Sequence, residues 1–149
     1  MNRLLPELLA PAGSIDALLA AVAAGADAVY CGLGAFNARA SAKDIEPVEF
    51  ARAVRLAHAH GVRVYVTCNV YLREHELMPA LDLVREADAA GADAFIVADV
   101  AQVRAIQRAI SHAEIHLSTQ TGVMSPAGVE YVRLLRAWRL QRPRECERY

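Results

Sequence analysis

A module recurs along this chain: an apolar-striped helix, a glycine, then a short run rich in β-branched residues. Leu18 to Ala24 leads through Gly25-Ala26-Asp27-Ala28 into Val29-Tyr30-Cys31. Val54 to His60 leads through Gly61 into Val62-Arg63-Val64-Tyr65-Val66. Leu81 to Ala90 leads through a second Gly-Ala-Asp-Ala, Gly91 to Ala94, into Phe95-Ile96-Val97. The three glycines stand ~36 and ~30 residues apart, room for one strand plus one helix. A helix closed by glycine and followed by a buried strand, written repeatedly, specifies an α/β fold with a parallel sheet and crossover helices.

The elements follow from the same pattern. Leu8-Leu9-Ala10 reads as the first strand, ended by Pro11-Ala12-Gly13, with Ser14 capping a helix over 15–24. Ala28 to Cys31 is the second strand, followed by a long loop from Gly32 to Asp44; Pro47 then opens a helix whose Phe50, Val54 and Ala57 share a face. Val62 to Cys68 is a continuous apolar run, as expected of a strand covered on both faces. A helix from about Glu76 to Ala90 places Leu77, Leu81 and Val84 on one stripe. Ala94 to Ala98 is the fourth strand, and Asp99 can cap a helix carrying Val103, Ile106 and Ile110. Glu114 to Ser118 is the fifth, leading through Thr119-Gln120-Thr121-Gly122 to a helix near Ser125-Pro126. Five strand–helix units result. A closed barrel of eight takes ~250 residues, so 149 residues carry little more than half of one. An open doubly wound sheet fits the same length, and periodicity alone does not choose.

Bulk properties narrow the partners. With 55% hydrophobic residues and a net charge of -1, the chain reads as one globular domain without the basic excess of a general nucleic-acid binder. No run approaches the ~18 apolar residues of a membrane span. The start, Met1-Asn2-Arg3-Leu4-Leu5-Pro6-Glu7, is too short and too soon charged for a signal peptide. Cys31, Cys68 and Cys146 are few, odd in number and far apart, which argues against a disulfide framework and for the cytoplasm. The domain is expected over 1–137. From Arg133 onward come six of the 16 Lys+Arg, and 138–149 reads as a divergent, solvated Arg-rich tail offering no sixth strand.

In either parallel architecture ligands meet the carboxyl ends of the strands, and polar groups gather there. The candidates for substrate binding are Tyr30, Asn37, Arg39, Asn69, Asp99, His116, Ser118 and Gln120. Each has two readings. Asp99 is a helix cap or a catalytic acid or base. Asn69 closes an Asx turn or contacts a ligand. Arg39 binds an anion or makes a surface ion pair. Ser118 and Gln120 position a ligand or satisfy the strand end. His116 alternates with Ser118 and can face the interior. Tyr30 and Tyr71 suit a wall. Cys31 and Cys68 suit small buried hydrophobes. Gly32-Leu33-Gly34 lacks the third glycine of a dinucleotide fingerprint, and no histidine has zinc-ligand spacing with a cysteine.

Read in series, Glu7-Leu8-Leu9-Ala10-Pro11-Ala12-Gly13, Gly25-Ala26-Asp27-Ala28-Val29-Tyr30, Phe36-Asn37-Ala38-Arg39-Ala40, Val64-Tyr65-Val66-Thr67-Cys68-Asn69 and His116-Leu117-Ser118-Thr119-Gln120 carry a resemblance. The chain resembles the collagenase-like peptidases of unassigned catalytic type, family thirty-two of the unknown class, from residue 5 to about 136. The resemblance implies the N-terminal part of a TIM-like (β/α) barrel and a peptidase or hydrolase label. It implies, alternatively, an oxygen-independent factor hydroxylating transfer RNA uridine, ribosomal RNA cytidine or a quinone precursor. Those branches hold an iron–sulfur cluster on four cysteines beyond the matched region, so no cofactor is expected on these residues. After Ala137 the family is expected to continue with a sixth apolar strand; Trp138-Arg139-Leu140-Gln141-Arg142-Pro143 reads otherwise. That break suggests a truncated or frame-shifted, poorly active copy, whose last strand would expose an edge prone to self-association.

Overall fold

The computed structural model describes residues 7–34, 36–37, 45–135 and 137, together with the backbone of 139–140. Strand β1 (Leu9–Pro11) leads to helix α1 (Ile15–Ala23), and β2 (Ala28–Gly32) to α2 (Pro47–Ala59). Then come β3 (Arg63–Cys68), a 3-10 turn (Glu74–Glu76), α3 (Leu77–Ala89), β4 (Ala94–Val97) and α4 (Val100–Ala109). Strand β5 (Ile115–Leu117), a second 3-10 turn (Thr119–Thr121), α5 (Pro126–Leu134) and β6 (Arg139–Leu140) complete the order. The expected strands fall within one residue or so of these bounds. No helix among the described residues is long and apolar enough to cross a membrane.

Local chemistry explains where the elements start and stop. Ser14, Asp99 and Ser125 cap α1, α4 and α5, accepting from Ala17 N, Ala101 N and Gly128 N respectively. Pro47 stands in the first turn of α2, where a missing N–H costs nothing. The glycine of the module has a steric cause at Gly91: its φ is 97°, and a Cβ there would stand 3.3 Å from Val54 Cγ1.

The aspartates of the two Gly-Ala-Asp-Ala repeats serve the sheet. Asp27 Oδ2 accepts from Leu8 N at 2.7 Å, and Asp93 Oδ2 accepts from Val64 N at 2.7 Å and pairs with His58 Nε2 at 2.8 Å. Each carboxylate thus fastens the entry of its own strand to the entry of the preceding one. The repeated motif is a clasp at the amino end of the sheet.

All six strands are parallel and lie in the order β1-β2-β3-β4-β5-β6. Every crossover therefore steps one strand in the same direction, and right-handed crossovers of that kind put every helix on one face. The burial pattern agrees. Val29, Val66, Phe95 and Leu117 pack with Leu18, Phe50, Val84 and Val103 from the helices in the main core. The alternate strand positions Ala28, Tyr65, Ala94 and Ile96 form a second cluster with Leu9 and Tyr30. A doubly wound sheet would reverse direction at a switch point and carry helices on both faces. The architecture is instead a partial TIM-like barrel, with one face toward the helices and the other toward the barrel interior.

The expectation of no sixth strand is corrected. Arg139 and Leu140 pair in parallel with His116 and Leu117. Two residues suffice, because backbone groups make the ladder and an edge strand needs no apolar run.

Candidate functional site

The carboxyl ends of the strands form a rim built from the segments following β1 to β5. Three of these segments are tied to one another. Gln102, in the first turn of α4, donates from Nε2 to Val70 O at 2.8 Å, holding the segment after β3. Tyr71 in that segment donates its hydroxyl to Gln120 O at 2.7 Å, reaching the segment after β5. Ser118 accepts from Gln120 N at 3.2 Å, and its carbonyl accepts from Thr121 Oγ1 at 2.8 Å. Thr67, buried at the top of β3, donates to Cys31 O at 3.1 Å.

The expected site residues divide between this rim and other places. Asn69, half-buried, leaves the end of β3; Asp99, Ser118 and exposed Gln120 follow β4 and β5 on the same rim. Asp99 Oδ1 accepts from Ala101 N at 2.8 Å, so its helix-cap reading is realised. Asn37 is buried in the segment after β2 and donates to Gly34 O at 3.1 Å, turning back on its own loop. Tyr30 packs half-buried in the interior cluster, one wall of the barrel. Arg39 lies outside the described residues. His116 is buried on β5, with Nε2 2.8 Å from Glu114 Oε1. Glu114 precedes β5, so this ring nitrogen is directed to the amino end of the strand rather than to the rim.

His116 belongs to a polar string, buried at Tyr65 and His116 and reaching the surface at its ends, that sequence reasoning missed. Glu7 pairs with Arg63 at the start of β3 and accepts from Tyr65 Oη at 2.7 Å. The Tyr65 ring meets the His116 ring edge-on at 4.7 Å between centroids, and the Arg63 guanidinium lies 5.6 Å from the Tyr65 centroid. Tyr65 and His116 come from alternate strands, β3 and β5, as in one layer of a barrel interior. Tyr65 stands between Tyr30 on β2 and the small Ala94 on β4, with Ala28 in the same interior cluster. Only the cross-strand register brings these residues together. Gln102 was likewise missed; an amide in a helix's first turn next to an apolar stripe was its one available signal.

The candidate nucleophiles are engaged or buried. The Ser118 hydroxyl caps the second 3-10 turn, and the neighbouring buried imidazole has its Nε2 on Glu114. Burial pushes the Cys68 thiol up to about 12, so at neutral pH it stays protonated. Cys31 and Cys68 both lie on the helix-facing side of the sheet. Among the described residues no three His, Cys, Asp or Glu side chains are grouped to hold a metal ion. Cys31 and Cys68, buried in the main apolar core, do not offer the thiolate set of an iron–sulfur cluster, and Cys146 lies outside the described residues.

Comparison with known proteins accords with this architecture. The model of Peptidase family U32 matches residues 13–148, a span that takes in most of the Arg-rich end as well as the barrel units. A tRNA hydroxylation protein P1 of Bacillus subtilis is 33% identical over 126 residues, 85% of this chain and 30% of that protein. A 23S rRNA 5-hydroxycytidine synthase of Escherichia coli is 37% identical over 78% of this chain and 17% of its own length. A collagenase of Porphyromonas gingivalis is 30% identical over 84% of this chain and 30% of its own length. The chain thus spans less than a third of these relatives. Among solved structures, the U32 peptidase Mk0906 superposes with a TM-score of 0.67 at 17% identity, over 88% of this chain and 56% of that one. A phosphonopyruvate hydrolase superposes at 0.64 with 16% identity, over 95% of this chain and 55% of the other, a likeness of fold alone. With its six parallel strands, one-sided helices and a family match over nearly all its length, the chain belongs to peptidase family U32.

Proposed function

We propose that this chain supplies the substrate-positioning rim of an oxygen-independent RNA hydroxylation factor. The observation that carries this reading is the state of the would-be nucleophiles. A peptidase working through serine or cysteine needs a hydroxyl or thiol activated by an adjacent base. Here Ser118 is occupied as a cap, His116 presents Nε2 to Glu114, and the Cys68 thiol is held neutral by burial. Apart from Asp99, which caps α4, the rim offers neutral hydrogen-bonding groups among the described residues, suited to the edge of a base. Asn69, Ser118 and Gln120 would position it, Tyr30 would wall the interior, and Arg39 would hold a small anionic co-substrate. Tyr71, 69% exposed, presents an aromatic face beside them on which a base can stack. The names of relatives matching 78–85% of this chain support the same class.

Peptide hydrolysis is the second reading, favoured by the collagenase that matches 84% of this chain. The two separate in one experiment. Deleting the gene in its host should remove a hydroxylated uridine or cytidine from transfer or ribosomal RNA, as read by nucleoside mass spectrometry. Reintroducing the wild-type gene should restore it, and an Asn69→Ala variant should restore less than a tenth. Unchanged nucleosides, together with peptide cleavage lost in the same variant, would establish the peptidase.

A further inference from the structure

Gln102 sits in a small cleft between α3 and α4, lined by Cys68, Leu72, Leu77, Leu81, Val84 and Ile106. It is 4% exposed. Its Nε2 is committed to Val70 O at 2.8 Å, and that bond fixes which end of the amide is the oxygen. The other end, Oε1, is buried with no hydrogen-bond partner among the described residues. A buried acceptor without a donor is destabilising, and a shape-matched apolar side chain would remove the penalty. Methionine or leucine would fill the same apolar surroundings. What such a residue would lose is the donor to Val70 O. The amide at 102 is therefore explained by what it holds.

What it holds is the segment carrying Asn69 and Tyr71. The Val70 carbonyl lies between those two residues in the chain, and Tyr71 passes the restraint on to Gln120 O. We propose that Gln102 is a positioning residue for the substrate rim. By gripping Val70 from α4, and through the Tyr71 hydroxyl, it locks the segments after β3, β4 and β5 into one lip of fixed shape. The site rests on the RNA reading given above; the lock itself is a property of the fold and is measured separately.

Two substitutions test it in the full chain. Gln102→Met keeps the volume, deletes the donor to Val70 O and deletes the orphaned acceptor. Tyr71→Phe deletes only the exposed hydroxyl and keeps the ring. In Gln102→Met the thermal midpoint should hold or rise, while amide hydrogen exchange at residues 69–72 accelerates at least tenfold. In Tyr71→Phe exchange should accelerate at 71–72 and 120–122. Each variant gene should restore less than a fifth of the wild-type RNA hydroxylation. Gln102→Asn, which keeps an amide on a shorter arm, should recover neither exchange protection nor modification, whereas the wild-type residue recovers both. Unchanged exchange in Gln102→Met overturns the lock. A fall in thermal midpoint that matches the loss of modification assigns Gln102 a merely structural role and also overturns it. Accelerated exchange with full modification overturns the positioning role. If the wild-type gene supports no RNA hydroxylation, the functional reading fails on its own, and accelerated exchange in both variants still upholds the lock.

Discussion

Burial changes the chemistry of Cys68. Its thiol is raised from 9.0 to about 12 by desolvation of the charged form, so the folded chain keeps a proton there that the unfolded chain releases. The resulting stability is fully present below pH 9 and is lost as pH rises toward 12, because only the unfolded state ionises in that window. The slope is up to ~1.4 kcal/mol per pH unit. Urea titrations between pH 8 and 11 should show that slope, and Cys68→Ala should flatten it. The Tyr65 hydroxyl gives a second residue-level expectation. Tyr65→Phe keeps the ring against His116 but removes the bond to Glu7, and should cost about 1–3 kcal/mol in denaturant titration, as for a hydrogen bond to a charged partner. Legibility at this scale depended on sequence distance. The capping by Asp99 of the helix beginning at Val100 is local and was readable. The interior placement of His116 followed from its alternation with Ser118. Its pairing with Tyr65 depends on the register of β3, β4 and β5, which no run of residues encodes by itself.

At the scale of elements, the recurring module was legible because helix period, glycine and apolar strand all agree within ~30 residues. The role of its aspartate was not. In sequence Asp27 and Asp93 look like turn residues; in the fold they clasp one strand entry to the next. Asp93→Ala should therefore destabilise the chain by about 1–2 kcal/mol, more than loss of an isolated surface charge, with His58 and the Val64 amide both losing their acceptor. A His58→Ala change alone should cost well under 1 kcal/mol, since that exposed pair is screened. Thermal denaturation of the two variants side by side checks the ranking. Strand β6 escaped notice for the opposite reason: with an arginine and one leucine it carries no hydrophobic pattern, and only its neighbour β5 defines it.

For the whole molecule, periodicity left the barrel and the doubly wound sheet open, because both are written with the same units, and only the family resemblance pointed to the barrel. Strand order separates them, and order is a property of how units dock. The open sheet also bears on association. Beyond β1 no further strand lies among the described residues, and half-exposed Leu8 flanks that edge. Sedimentation of the isolated chain across a hundredfold concentration range should show its average mass increasing; a constant monomer mass would refute edge-mediated association.

The uninterrupted order β1 to β6 has a consequence for biosynthesis. Each strand finds its partner in the one translated just before it, so a nascent chain leaving the ribosome can dock every new unit at once onto a finished template. Assembly of this kind never waits for a distant segment, and each new unit docks at the growing end.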